Sequence, residues 1–171
     1  MKKFFYFLPI FLLATVSCAK AEQTASAHLH GTADQALSGT VHFIAKDNGV
    51  QVVAHVEGLP QGNHGFHIHE IGDCSDSGKA AGGHFNPDKH DHGDAVKNGL
   101  TQAHAGDLGN LEVGADGKGS KEVFVPGLTL SEGPHGITGR SVIVHEKEDD
   151  FSQPTGNAGG RIGCGVIQTE V

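Results

Sequence analysis

Six histidines and one aspartate stand in an order suited to metal binding: His67, His69, His84, His92, His104, Asp107 and His145. His67 and His69 flank Ile68 in the stretch Gly65-Phe66-His67-Ile68-His69. His84 lies in Gly82-Gly83-His84-Phe85-Asn86-Pro87, and His145 ends the apolar run Val142-Ile143-Val144. Six imidazoles and a carboxylate exceed the needs of one four-coordinate ion, but two ions sharing one bridging histidine would use all seven. Imidazole suits copper, zinc, iron and nickel, and a lone carboxylate is compatible with zinc. An all-imidazole group without thiolate can hold both Cu(II) and Cu(I), so it can cycle. Three histidines and one aspartate with no open position make a closed tetrahedral zinc site, a structural one. A redox-active ion beside a redox-silent one implies electron transfer with a small substrate.

Strands must carry these side chains. Positions i and i+2 of a strand share one face, so His67 and His69 point at one metal while Phe66 and Ile68 face the core. Asp47-Asn48-Gly49 is a hairpin signal between strands at 40–45 and 50–56, where Val50, Val52, Ala54 and Val56 alternate inward. Ala115-Asp116-Gly117 is a second hairpin signal between strands at 106–113 and 119–125. Further strands are expected at 65–69, 141–144 and 165–168. Two long loops, 72–101 and 148–163, lack a clear period. Loops of that length in a compact domain are usually functional, and the first carries His84 and His92. Residues 22–27 read as a small, polar, flexible tail. The 171 residues include 26 glycines and no tryptophan, and short apolar runs predominate over any helical period. That pattern favours an all-β domain of about eight strands, a sandwich or barrel.

The first 21 residues read as a secretory leader rather than as fold. Lys2 and Lys3 precede an apolar run at 4–16, and Ala19-Lys20-Ala21 is an A-x-A cleavage site, leaving a mature domain of 22–171. Ala14-Thr15-Val16-Ser17-Cys18 offers a competing lipoprotein reading, with lipidation of Cys18. Either way the chain is exported, to the periplasm or the outer cell surface. Cys74 and Cys164 then read as a disulfide rather than as two metal thiolates, since their spacing is not C-x-x-C. Net charge is −8, and loss of Lys2, Lys3 and Lys20 with the leader takes it to −11, which disfavours nucleic-acid binding.

The complete ligand order, with Gly156-Asn157-Ala158-Gly159-Gly160-Arg161 and Cys164-Gly165-Val166, resembles the copper–zinc superoxide dismutases. Matching stretches span nearly all of the chain after the leader. The resemblance implies an eight-stranded Greek-key β-barrel with two long functional loops. It places copper on His67, His69, His84 and His145, and zinc on His84, His92, His104 and Asp107, with His84 as the bridge. It implies conversion of superoxide to dioxygen and hydrogen peroxide by Cu(II)/Cu(I) cycling, with His84 and Arg161 as catalytic residues. Asp149 matches a carboxylate that fixes the rings of His67 and His92, and Thr155 a residue on the channel rim. The resemblance implies a homodimer, with a monomer as the alternative. Cys74 falls five positions after His69, the placement of bacterial exported members. The loop 150–156 is shorter than in eukaryotic members and lacks their guiding charges. Lys79, Lys89 and Lys97 are the candidates left for steering an anion, against a reading as ordinary solvated lysines.

Not every histidine belongs to this set. His64 and His135 read as structural, bonding loop backbone, and His90 is a weaker zinc candidate than His92. His28 and His30 share a face near the mature N-terminus, with His42 and His55 on nearby strands; they read either as an extra metal-capture site or as plain surface histidines. A non-catalytic metal-binding or copper-delivery module on the same fold is the alternative function. It should lack a copper ligand or the arginine, and this chain has both.

Overall fold

The computed structural model describes residues 22–131 and 133–170. The proposed leader and Cys18 lie outside the described residues. Nine strands follow one another: β1 (Thr24–Gly31), β2 (Ser38–Lys46), β3 (Gly49–Glu57), β4 (Gly62–His69), β5 (Asp107–Val113), β6 (Lys118–Pro126), β7 (Ser141–His145), β8 (Arg161–Val166) and the short β9 (Gln168–Thr169). The order β2-β3-β6-β5-β4-β7-β8-β1, closed by β1–β2, makes an antiparallel eight-stranded barrel with β9 added against β1. The β3–β6 and β4–β7 neighbours are the Greek-key crossovers. Helix is confined to one 3-10 turn at Lys79–Ala81 and a single turn α1 at Ala95–Asn98.

Alternation fills the interior. Val50, Val52, Ala54 and Val56 of β3 are buried against Val41 and Phe43 of β2. The β2–β3 hairpin closes with Lys46 paired to Gly49, as the Asp47-Asn48 turn requires. One sequence expectation fails here. Residues 24–27 are strand, not tail: Ala25, Ala27 and Leu29 are fully buried and β1 pairs with β2 from Thr24 to His30. Small side chains hid the alternation, and the pairing closes the barrel. The chain's end also splits into β8 and β9, with Ile167 buried between them.

Candidate metal centre

The barrel register brings the candidate donors together. His67 is opposite Asp107 of β5 and also opposite Ile143 of β7, because β4 lies between those two strands, with a bulge between Gly65 and His67 on its β5 edge. A second bulge at Val144/His145 sets His145 opposite Arg161. His84 returns from the long loop to form an isolated bridge with His69. Backbone bonds Phe85 N–H to Ile68 O, Ile68 N–H to Gly106 O and Gly106 N–H to Phe85 O lock that return. The loops cover the outer face of β4, so His67 and His69 are as buried as the core residues between them, at 0% and 1% exposure.

Two donor groups result. One ligand atom from each of His67, His69, His84 and His145 lies within 4.8 Å of the others, and the same holds for His84, His92, His104 and Asp107. His84 belongs to both, with rings 4.2 Å from His67 and 5.2 Å from His92, centroid to centroid. Its Nδ1 is 2.8 Å from Asp107 Oδ1, leaving Nε2 for the four-histidine group.

The tautomers follow from the hydrogen bonds and test the fit to a cation. His69 Nδ1 donates to Gly82 O at 3.1 Å, and His145 Nδ1 to Gly159 O at 3.4 Å. Their Nε2 lone pairs therefore face one another at 3.4 Å. Burial holds His69 down to about 2 and His145 to about 3, and it brings His84 to about 4 despite Asp107, so all three rings are neutral ligands at pH 7. His67 Nε2–H donates to Asp149 Oδ2 at 2.7 Å, which leaves His67 Nδ1 buried with a bare lone pair and no partner. His92 Nε2–H donates to both Asp149 oxygens, at 2.9 and 3.1 Å. His92 Nδ1 and His104 Nδ1 lie 2.9 and 3.2 Å from Asp107, yet neither is aligned for a hydrogen bond. Unpartnered buried nitrogens converging on one point suit a metal ion. Burial lowers His92, but its contacts with Asp107 and Asp149 outweigh that and lift it to about 9; a cation between His92 and Asp107 would displace that proton. Asp107, although buried, is held well below the usual carboxylate range by His104, His84 and His92 and by the Gly93 N–H.

Several supports were not legible as such in the sequence. Asn110 clamps Asp149 by accepting its N–H at 2.8 Å and donating to its carbonyl at 2.9 Å. Gln153 does the same to the His92 backbone, at 3.0 and 2.8 Å. Arg140 stacks on Phe85 with 3.5 Å to the ring centroid and donates to Glu70 O and Gly136 O, holding the segments that follow His84 and His69. Each clamp closes between residues far apart in the chain, so no local signal announces it. Gly156, with φ +74°, allows the loop to pass over Asp149: a Cβ there would sit 1.8 Å from Asp149 Oδ1 and 2.8 Å from His92 Nε2.

Arg161 is half-buried beside the four-histidine group. Its Nη1 donates to Gly78 O at 2.6 Å and Lys79 O at 3.3 Å, and its Nη2 to Gly82 O at 2.5 Å. Those carbonyls sit in the loop that the Cys74–Cys164 disulfide ties to β8, with the two Cα atoms 5.7 Å apart. The bridge spans 90 residues, for which chain entropy gives about 4–5 kcal/mol. Thr155 is exposed, as are Lys79 and Lys89. Lys97 is engaged by Asp94 at 2.9 Å and lies over the Phe151 ring.

The other histidines sort as follows. His64 bonds two backbone carbonyls, the loop carbonyl Pro60 O at 3.0 Å, as expected, and His145 O at the end of β7 at 2.9 Å. His135 departs from expectation: it bonds the Asp88 carboxylate at 2.6 Å rather than backbone, because the loop of 86–90 folds against it. His90 stays outside both donor groups, its backbone bonded at N–H and carbonyl by the Asn86 side chain.

Residues 37–167 match the family model described as copper/zinc superoxide dismutase. The chain belongs to the copper/zinc superoxide dismutase family. It is 44% identical over 139 residues to Superoxide dismutase [Cu-Zn] 2 of Mesembryanthemum crystallinum, covering 77% of this chain and 86% of that protein. It is 39% identical over 154 residues to the Extracellular superoxide dismutase [Cu-Zn] of Brugia pahangi, covering 84% and 75%. Among solved structures it matches the clock protein EA4, with a TM-score of 0.76 and 37% identity over 90% of this chain and 99% of that one. The chain is thus an enzyme of this family, and copper and zinc suit its donor groups.

Proposed function

We propose that the four-histidine group holds copper, that His84, His92, His104 and Asp107 hold zinc, and that the chain converts superoxide to dioxygen and hydrogen peroxide. When bound, copper supplies one-electron cycling between Cu(II) and Cu(I), and zinc supplies a fixed positive charge. The observation that carries this reading is the convergence of neutral, thiolate-free imidazoles, His69 Nε2 and His145 Nε2 at 3.4 Å, next to a guanidinium.

Each residue then has a task. Arg161 pairs with the anionic substrate and orients it, and its charge is independent of pH in the working range. Three loop carbonyls hold the guanidinium in place, so little entropy is lost when an anion arrives. His84 Nε2 is the atom that takes up a proton and returns it to the departing peroxide. Asp107 keeps His84 oriented from the Nδ1 side, and Asp149 fixes the rings of His67 and His92. Thr155 lines the rim of the approach. The net charge of −8 opposes an anion at long range, so attraction must be local, through Arg161, Lys79 and Lys89.

We further infer an exported bacterial type, acting in the periplasm or at the outer surface, with residues 1–21 as leader and lipidation of Cys18 as an alternative. The Cys74–Cys164 disulfide supports an oxidising compartment. The name of the Brugia pahangi relative, extracellular, agrees. A homodimer is the proposed assembly, with a monomer as the alternative. The test is superoxide dismutation by residues 22–171 loaded with copper and zinc, beside the zinc-only form. Activity that appears only with copper supports the reading. Full metal loading with no copper-dependent activity would replace it with a metal-delivery module.

A further inference from the structure

Four histidines remain on one surface that the buried centre does not use. His28 and His30 of β1, His42 of β2 and His55 of β3 are all exposed, on the outer face of three adjacent strands. The register arranges them around one small residue. Thr40 pairs with His28 on one side and with His55 on the other. His42 lies two residues along from Thr40, on the same face, so it is the diagonal neighbour of both His28 and His55. Adjacent strands are about 4.8 Å apart, and diagonal neighbours about 7–8 Å. Three imidazoles at those positions can meet at one point above Thr40, whose short side chain leaves the space open.

We propose that His28, His42 and His55 form a surface site for a first-row divalent metal ion, separate from the two buried groups. Three observations support it. The His28 ring leans over Thr40, with Nδ1 3.4 Å from Oγ1. Thr40 and His55 also line an open groove of about 390 Å³, with Glu57, Lys118 and Ser120, so the space beside them is unfilled. Glu170 stands 3.4 Å from His42 Nδ1, where a carboxylate fixes the ring and raises the basicity of the other nitrogen. The strands beneath are rigid, since Ala27, Val41 and Ala54 on the inner face are fully buried.

The ring nitrogens do not converge as tightly as those of the buried groups, which share a 4.8 Å limit. Binding therefore requires exposed side chains to change rotamer, which makes this site weaker than the buried ones. Imidazoles without thiolate select Cu(II), Ni(II) and Zn(II), and Cu(II) is bound most tightly of these.

Equilibrium dialysis against Cu(II) tests the site on protein whose buried groups are already filled with copper and zinc. One further equivalent is expected in the wild type. H28Q and H55Q should each weaken it by about tenfold or more, and H28Q/H42Q/H55Q should abolish it, with buried metal content and the circular dichroism spectrum unchanged. A separate Cu(II) resonance signal should vanish in the triple variant. The readout is the difference between wild type and triple variant, so it does not depend on which metals fill the buried groups. No further equivalent in the wild type at about 100 µM Cu(II), or one that persists in the triple variant, overturns the proposal.

Discussion

Asp149 offers the sharpest perturbation, because one carboxylate orients a ring in each donor group. Asp149→Asn keeps the shape but exchanges one acceptor oxygen for an N–H donor. His92 Nε2 contacts both oxygens, at 2.9 and 3.1 Å, whereas His67 contacts only Oδ2 at 2.7 Å. Phe151 N–H also donates to Oδ1, at 2.8 Å, so the amide oxygen stays at that position and the N–H donor takes the Oδ2 position, against His67, while His92 keeps its shorter contact. A ring that meets an N–H donor at Nε2 must move its proton to Nδ1, and for His92 and His67 Nδ1 is the nitrogen left free for metal. Partners of this kind are typically worth 10–100-fold in metal affinity, or about 1.4–2.7 kcal/mol. Competition with a chromophoric chelator should show affinity at the proposed copper group falling by about that factor, with a smaller loss at the proposed zinc group, where His92 keeps Oδ1. Asn110→Ala leaves the charge but removes both bonds that clamp the Asp149 backbone, so its loss should be smaller than that of Asp149→Asn. Copper affinity in Asp149→Asn within about threefold of wild type would refute the assignment of Asp149 to ring orientation.

Three other perturbations bear on the same geometry. Gly156→Ala places a Cβ 1.8 Å from Asp149 Oδ1 and 2.8 Å from His92 Nε2, so it should lower zinc affinity by about tenfold or more. Gly159→Ala has the same positive φ but meets only flexible Glu146 and Lys147 side chains at 3.3 Å, so it should lose about 1–2 kcal/mol of stability and no zinc affinity. Equal zinc loss in the two variants would show that backbone strain, not the clash, is responsible. Arg161→Ala should lower kcat/KM by about 10–30-fold through loss of one charge close to the substrate anion, and Arg161→Lys should fall between; pulse radiolysis at several ionic strengths checks this, and a change under twofold would exclude Arg161 from substrate pairing. The metal-free protein should be most stable near pH 6.5. His69, His84 and His145 have lowered pKa values, so their unfolded forms take up protons and stability falls as pH drops from 6.5. His92 is raised to about 9, so its contribution is full below 6.5 and is lost as pH rises through 9. Denaturant unfolding at pH 4.5, 6.5 and 9 should show the maximum, and zinc uptake at pH 7 should release the His92 proton. A metal-free stability that rises steadily to pH 9 would contradict the His92 reading.

The two donor groups are legible because their physics is local. The i, i+2 spacing of His67 and His69, the three-residue turn from His104 to Asp107 and the run of valines into His145 each specify a direction along a strand or turn. The supports were not legible, because they are closures. Asn110 meets Asp149 across 39 residues, Gln153 meets His92 across 61, and Arg140 reaches Phe85 only once the loop of 72–101 has folded back onto β4. β1 was misread for a related reason. Ala25 and Ala27 carry little apolar signal, and the seven-residue pairing with β2, with further pairing to β8 and β9, makes that segment a strand.

The same strand connects the two kinds of histidine in this chain. On β4, His67 and His69 project outward and are buried because two loops fold over them. On β1, His28 and His30 project outward with the same spacing and stay in water because nothing in the described residues covers them. Spacing alone is therefore ambiguous between a buried donor pair and a surface pair, and loop cover decides which it becomes. Cover removes water, keeps the imidazoles neutral and forces their lone pairs together, as at His69 and His145. Without cover, the rings keep their rotamer freedom and can gain a cation only at the expense of that freedom. A buried centre with affinity well above that of the β1–β3 surface is the quantitative consequence. Comparable Cu(II) affinity at the two would mean that loop burial contributes little to metal retention, and the account of the centre given by its orphaned nitrogens would have to be abandoned.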